Sequence, residues 1–312
     1  MSLESQSVHN LQKLSQLGKG FYEQFLSLIV YSNLWVAAGI ASLVFFVQTA
    51  LNLPIDWHPA VFLLAAALIP YNLDRIVDSY VQKSLDSKEQ YFVRKPGSLF
   101  LASAAILTFV FLLYRAPASV QRVSWAGLLP LSYGVPLFPF QQQGNLNWYR
   151  PKDIPGIKAW IVCGVITYAL IAVPLAYAGV SFNYFTALVA FFLLIFVGTN
   201  SHLFDIRDIE SDREKGVRTL PFIIGIRGTR IFWTGLNLIL LLVAGWSWTQ
   251  PISILSPVVV IPCILLNLIA IWTVTPETPR NVYNIVLDGY LFLPGLLTLI
   301  VGVITPNVST TF

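Results

Sequence analysis

The chain has 312 residues, of which 56% are hydrophobic and 11% are charged, and its mean hydropathy is +0.69. A soluble domain is about 25% charged, so this composition excludes a protein whose whole surface faces water. The net charge of +4 is accounted for by membrane topology and by contact with anionic membrane lipid, and we expect no nucleic-acid partner.

The sequence contains nine apolar stretches, each close to the roughly 20 residues that a membrane-spanning helix needs. Helices are expected because a backbone surrounded by lipid must satisfy its hydrogen bonds internally. We therefore predict an all-α polytopic membrane protein, a bundle of nine transmembrane helices. In chain order the predicted spans are 26–51, 58–80, 97–115, 119–139, 157–179, 182–205, 229–249, 252–274 and 283–304.

The predicted domain organisation follows from these spans. Residues 1–25 are expected to form a cytoplasmic N-terminal segment, residues 26–305 the transmembrane domain and residues 306–312 a short tail. Lys and Arg accumulate in cytoplasmic loops, and a cytoplasmic N-terminus places 17 of the 19 basic residues inside. Only Arg115 and Arg122 then lie outside.

Two acidic clusters end predicted spans on the cytoplasmic side. Asp74 and Asp78 end the second span, and Asp205 ends the sixth, with Asp208 and Asp212 just beyond it. Steps of three and four residues put each set on one helical face, where like charges repel unless a cation lies between them. Mg²⁺ is usually held by one or two carboxylates together with substrate phosphates. The clusters therefore indicate a diphosphate bound through Mg²⁺, the alternative being that nearby arginines simply neutralise these acids.

The second cluster lies in a longer motif. The segment from Asp205 to Pro221, with Gly216 and a Thr-Leu-Pro turn after the aspartates, resembles the second aspartate-rich signature of the UbiA-type intramembrane prenyltransferases. Asp74-Arg-Ile-Val-Asp78 resembles the latter part of the family's first signature, and 133–136 with 155–158 resembles its central cytoplasmic loop. The first signature departs from the family pattern, because Pro70 and Tyr71 stand where the family has Asn and often Asp.

This resemblance implies a Mg²⁺-dependent prenyltransferase that moves an isoprenyl group from a prenyl diphosphate to a lipophilic acceptor such as an aromatic ring, as a step of isoprenoid biosynthesis. Two alternatives remain open: a terpene cyclase of the same fold, and a non-catalytic or transport protein that retains the fold. The catalytic residues that the resemblance implies are Asp74, Asp78, Asp205, Asp208 and Asp212. Of these, the metal ligands are Asp74, Asp78, Asp208 and Asp212. The candidate diphosphate contacts are Arg75, Lys158, Arg218 and Asn72.

Three polar residues inside apolar spans are further candidates. Asn284 and Asp288 are four residues apart near the cytoplasmic start of the last span, so they are expected to line one cavity or to form interhelical hydrogen bonds. His202 lies one turn before the second cluster and is expected to be a hydrogen-bonded interior residue.

Overall fold

The computed structural model describes residues 16, 18–81, 96–128, 138–142, 145–149, 156–214, 216–251 and 253–304. For 74–81, 96–98 and the two strands it describes the backbone alone.

Within these ranges the chain forms twelve helices and one short 3₁₀ turn, Trp125–Gly127. The helices are α1 (Gly18–Val30, π-helical over Leu26–Val30), α2 (Leu34–Ala50), α3 (Trp57–Val81), α4 (Pro96–Arg115), α5 (Ala118–Ser124), α6 (Lys158–Ala178), α7 (Tyr184–Arg207), α8 (Ile209–Glu214), α9 (Leu220–Trp248), α10 (Pro257–Thr273), α11 (Val282–Tyr290, π-helical over Val282–Leu287) and α12 (Leu293–Ile304). The all-α class is thus confirmed.

A small hairpin interrupts the helical pattern. Strand β1 (Phe138–Gln142) pairs antiparallel with β2 (Asn145–Tyr149). The sequence predicts that residues 138 and 139 end the fourth span, and this boundary is wrong because both residues lie in β1. The hairpin falls in the predicted cytoplasmic loop before α6.

The predicted count of nine spans is not confirmed. Among the described residues, α6, α7 and α9 are long and apolar enough to cross a membrane. Two bent pairs, α1 with α2 at 64° and α11 with α12 at 43°, raise this number to five at most. The apolar parts of the other helices whose side chains the structure describes are shorter, namely Trp57–Leu73 of α3, Leu99–Arg115 of α4, and α10. Helix α10 has 17 residues, about 26 Å at 1.5 Å per residue, whereas the hydrocarbon core is about 30 Å thick. The apolar helices nevertheless define an integral membrane protein.

Helix α7 is the central element of the bundle. Its apolar stretch is 67% buried inside the protein, against 28% for α9. It packs against α6, α9 and α10, while α2 packs against α3, α6 and α12. The helix that ends in the second acidic cluster is therefore held on several sides, which fixes the position of that cluster.

Glycines allow two close helix contacts. A Cβ atom at Gly295 of α12 would overlap the backbone carbonyl of Ser42 in α2, and a Cβ at Gly198 of α7 would lie 2.6 Å from the Trp233 ring of α9. Small residues permit such approaches between helices in membranes, where packing replaces the hydrophobic effect as the driving force.

A ladder of buried polar side chains joins α7, α9 and α10. The Asn237 side-chain amide donates to Thr199 Oγ1 at 3.0 Å, and its Oδ1 accepts from Asn267 Nδ2 at 2.9 Å. All three side chains are fully buried. Unpaired amides are costly in lipid, so this ladder ties the three helices together at one register.

Candidate active site

The second acidic cluster is built where α7 ends. Asp205 lies in the last turn of α7, Asp208 is its C-terminal cap, and Asp212 lies in the short helix α8. A turn closes α8: the Val217 amide donates to the Asp212 carbonyl at 2.8 Å, and Gly216 has φ +70°. Glycine suits that left-handed conformation, which directs the chain back toward the bundle at the start of α9.

Lys158 lies between two of the aspartates. It is the first residue of α6, and its Nζ lies 3.0 and 3.1 Å from the two oxygens of Asp212 and 3.6 Å from Oδ1 of Asp205. The Asp205 and Asp212 side chains are only 5% and 7% exposed. A buried carboxylate needs a charged partner, and one lysine supplies that partner to both.

Asp208 has its own cation. Nε and Nη2 of Arg207 donate to its two oxygens at 2.7 and 2.9 Å, the bidentate geometry that binds carboxylates strongly. Burial opposes ionisation of Asp208, but the hydrogen bonds and the charge of Arg207 outweigh it, so the pKa of Asp208 lies below its usual value. The carboxylate is therefore charged at neutral pH.

The loops on either side of the cluster are joined through their backbones. The amide of Gly156, just before α6, donates to the carbonyl of Arg218, just before α9. The side chain of Arg218 is exposed. This bond holds the segment leading to Lys158 next to the Thr-Leu-Pro turn, so parts of the predicted central loop and of the second signature lie together at one end of the bundle.

A series of contacts places the end of α3 at the same end of the bundle. Asn72 of α3 accepts from Asn33 Nδ2 at 3.5 Å. Close to Asn33 along the chain, Trp35 Nε1 donates to the Ile285 carbonyl of α11 at 2.9 Å. The neighbouring Asn284 accepts from Arg207 Nη1 at 3.4 Å. Helices α3 and α7, which carry the two clusters, thus end on one side.

The first cluster itself is described only through its backbone. Asp74, Arg75 and Asp78 lie in the last turns of α3, and their side chains lie outside the described residues. The predicted central-loop residues 133–136 and Pro155 also lie outside them.

Asn72 is engaged in packing. Its side chain is buried, and its Nδ2 donates to the carbonyls of Leu68 at 2.8 Å and Ser32 at 3.3 Å. Its amide therefore links α3 to the bend between α1 and α2, where Asn33 adopts a left-handed conformation with φ 61°.

Aromatic rings lie behind the cluster, one turn deeper along α7. His202 Nδ1 lies 2.8 Å from the Gly198 carbonyl, as expected for an interior histidine, and its ring lies 4.9 Å from Trp160 and 4.6 Å from Trp233. The two indoles stack at 5.5 Å. The bundle interior next to the cluster is therefore packed with aromatic rings.

The described side chains alone do not assemble a metal site. Among them, no three His, Cys, Asp or Glu residues form a group that could hold a metal ion. The carboxylates of Asp208 and Asp212 are nevertheless the hard oxygen donors that Mg²⁺ prefers. These oxygen donors therefore suit Mg²⁺. The contacts of Lys158 with Asp205 and Asp212 also show that the cluster holds a positive charge between two carboxylates.

Comparison with known protein families gives one match. The sequence model of the UbiA prenyltransferase family matches residues 156–296, which include Lys158, the second cluster and α11. No curated protein sequence matches the chain significantly.

Solved structures share the fold over most of the chain. A UbiA homolog from Archaeoglobus fulgidus bound to GPP and Mg²⁺ aligns with a TM-score of 0.60 at 12% identity, covering 88% of this chain and 99% of that one. The apo UbiA homolog from Aeropyrum pernix K1 aligns with a TM-score of 0.59 at 14% identity, covering 85% and 98%. A digeranylgeranylglyceryl phosphate synthase structure gives 0.52 at 14%, covering 91% and 97%.

The chain is therefore an α-helical membrane protein with the UbiA fold, and the predicted resemblance to the UbiA-type superfamily is confirmed. The family match supports a function of the prenyltransferase type.

Proposed function

We propose that the chain is a Mg²⁺-dependent intramembrane prenyltransferase that moves an isoprenyl group from a prenyl diphosphate to a lipophilic acceptor. The observation that carries this proposal is the contact of Lys158 with both Asp205 and Asp212. It gathers a cation and two nearly buried carboxylates at the end of the bundle where α3 also ends, which suits a bound diphosphate with its counter-ions.

Mg²⁺ would be held by Asp208 and Asp212 together with Asp74 and Asp78. When bound, it would neutralise the charge that develops on the leaving diphosphate. The first signature lacks the family's Asn at Pro70, and Asn72 is committed to packing contacts. From the first signature, Asp74 and Asp78 alone would therefore act as metal ligands.

Basic side chains would bind the diphosphate. Lys158 would exchange one of its carboxylate contacts for a phosphate oxygen, and Arg218 and Arg75 would supply further positive charge. The allylic C–O bond breaks and its electron pair leaves with the diphosphate. The acceptor carbon supplies the pair for the new C–C bond and then loses a proton. The apolar bundle favours this chemistry because it excludes water that would otherwise capture the allylic cation.

The basic residues support a cytoplasmic orientation for this end of the bundle and for the N-terminus. The prenyl tail would extend from the diphosphate toward the apolar interior. The transmembrane domain would extend over 26–305, with 1–25 as a cytoplasmic segment and 306–312 as a tail.

The proposal is tested by supplying the purified chain with Mg²⁺, prenyl diphosphates of several lengths and candidate acceptors, and measuring diphosphate release. Asp74→Asn and Asp208→Asn should each reduce the rate by about 100-fold or more, because direct metal ligands cost at least as much as the outer-shell partners that cost 10- to 100-fold. Asp56→Asn is the matched control, since Asp56 pairs with His58 at the start of α3, far along the helix from Asp74.

The products separate the alternatives. Hydrocarbon release from a labelled diphosphate without any acceptor would identify a terpene cyclase. Equally low release by the wild type and the aspartate variants would favour a non-catalytic or transport protein with this fold, the interpretation that the departures at Pro70 and Tyr71 support.

A further inference from the structure

Arg207 joins the second acidic cluster to the last part of the chain. Two of its nitrogens bind Asp208, and Nη1 donates to Oδ1 of Asn284 in α11 at 3.4 Å. The Arg207 and Asp208 side chains are 24% and 29% exposed, so the pair is partly shielded from water. One guanidinium therefore connects a carboxylate of the site to a helix outside both aspartate motifs.

Two aromatic rings hold the guanidinium in place. Its Cζ lies 4.8 Å from the ring centroid of Phe204 and 5.4 Å from that of Tyr283. The Tyr283 side chain is fully buried, and its hydroxyl donates to the Thr275 carbonyl at 3.0 Å. The ring is thus anchored at its far end, and its contact with Arg207 adds cation–π attraction.

Tyr283 and Asn284 both belong to the π-helical turn of α11, over Val282–Leu287. A π-turn changes the residue spacing of a helix and is frequently found at functional sites. Here two consecutive residues of the turn contact the same arginine, one through its ring and the other through its amide.

We infer that Tyr283 and Asn284 are positioning residues that act through Arg207 to orient the carboxylate of Asp208. The planar guanidinium group has one preferred geometry toward a carboxylate. Contacts that hold the guanidinium of Arg207 in one orientation therefore also orient the carboxylate of Asp208. Each carboxylate oxygen keeps a further lone pair for a cation. The inference rests on the proposed function, because it takes Asp208 to be a metal ligand.

The experiment measures Mn²⁺ binding to the purified full chain by calorimetry. Asn284→Ala, Tyr283→Leu and Arg207→Lys should each raise the apparent Kd about 10- to 100-fold, as loss of partners that orient a ligand does. Tyr283→Phe, which keeps the ring, should recover most of the affinity lost in Tyr283→Leu. Arg213→Gln is the matched control, because Arg213 pairs with the exposed Glu210 at 3.5 Å and should leave the Kd unchanged.

A second measurement separates positioning from a general loss of structure. In prenyl-transfer assays Asn284→Ala should need more Mg²⁺ for half-maximal rate and should approach the wild-type kcat at saturating Mg²⁺. A variant that is only poorly folded would keep a reduced kcat at every Mg²⁺ concentration.

Each outcome decides between the proposals. Wild-type Mn²⁺ affinity in both Asn284→Ala and Tyr283→Leu would overturn the positioning role, even in a chain that transfers prenyl groups. The expected losses of affinity in a chain that releases no diphosphate would support the positioning role and contradict the prenyltransferase proposal. A wild-type chain that binds no Mn²⁺, either alone or with a prenyl diphosphate present, would overturn both.

Discussion

At the residue scale, Lys158 has a role that its sequence position does not show. A lysine at the start of an apolar helix is usually explained by its side chain reaching the membrane surface. The structure instead places its ammonium against two carboxylates that are less than a tenth exposed. Resemblance to the family identified this residue, whereas its two partners could be found only in three dimensions.

We predict that Lys158→Met lowers the free energy of unfolding by about 3 to 5 kcal/mol, the cost of leaving a buried carboxylate without its partner. Lys158→Arg should lose much less because it keeps the charge. Reversible unfolding in an SDS titration measures the difference. Arg213→Met serves as the control, since its exposed ion pair should contribute no more than about 0.5 kcal/mol. Equal losses in the two Met variants would show that Lys158 is not an essential counter-ion.

Arg207 illustrates a limit of sequence reasoning at the same scale. Its proximity to Asp208 suggests simple charge neutralisation, and that pairing is present. The contacts with Tyr283 and Asn284 join residues that are 76 and 77 positions away, and no spacing rule covers that separation. The polarity of Asn284 inside an apolar span was the one available signal.

At the element scale, helix positions were predicted well where hydropathy changes sharply. Helix α3 (Trp57–Val81) matches the prediction of 58–80, and α6 (Lys158–Ala178) matches 157–179. Helix α9 begins at Leu220, nine residues before the predicted 229. Arg227 lowers the hydropathy there, and Gly225 breaks the helix with φ 74°. The first turns of α9 were therefore not predicted as part of an apolar span.

The contact between α2 and α12 gives a prediction at this scale. Gly295→Ala should destabilise the protein by about 1 to 3 kcal/mol, the usual cost of overpacking, because the added methyl group meets the backbone of Ser42. Gly302 lies in the same helix with open space around it, so Gly302→Ala is the matched control and should be neutral or slightly stabilising. Thermal unfolding of both variants in detergent measures the contrast, and similar melting temperatures would contradict a close contact between these helices.

At the scale of the whole molecule, composition was sufficient to predict a membrane protein, but hydropathy was not sufficient to predict the number of membrane spans. Average hydropathy does not register the left-handed Asn33, which separates α1 from α2, or the bend between α11 and α12. Such breaks depend on local backbone conformation and on neighbouring helices. The acidic clusters were identified because helical spacing is local, whereas their common location depends on how the helices pack.

The proposed orientation is testable with single cysteines. Both native cysteines, Cys163 and Cys263, are free and buried and can be replaced by Ala. Arg213→Cys then marks the acidic end, and Val180→Cys, at a position 43% exposed just after α6, marks the opposite end. In intact cells a membrane-impermeant maleimide should label Val180→Cys and spare Arg213→Cys. The reverse pattern would place the acidic end outside the cell.

The ladder of buried polar side chains, Thr199, Asn237 and Asn267, limits how the bundle can rearrange. If α9 moved by one helical turn relative to its neighbours, these side chains would lose their hydrogen-bond partners. No water is present in the hydrocarbon to replace those partners. Any widening of the bundle for a bulky lipid is therefore expected to involve helices that carry none of these groups, such as α2, α3 and α12. Helices α7, α9 and α10 would then serve as the stationary wall against which the substrate is held.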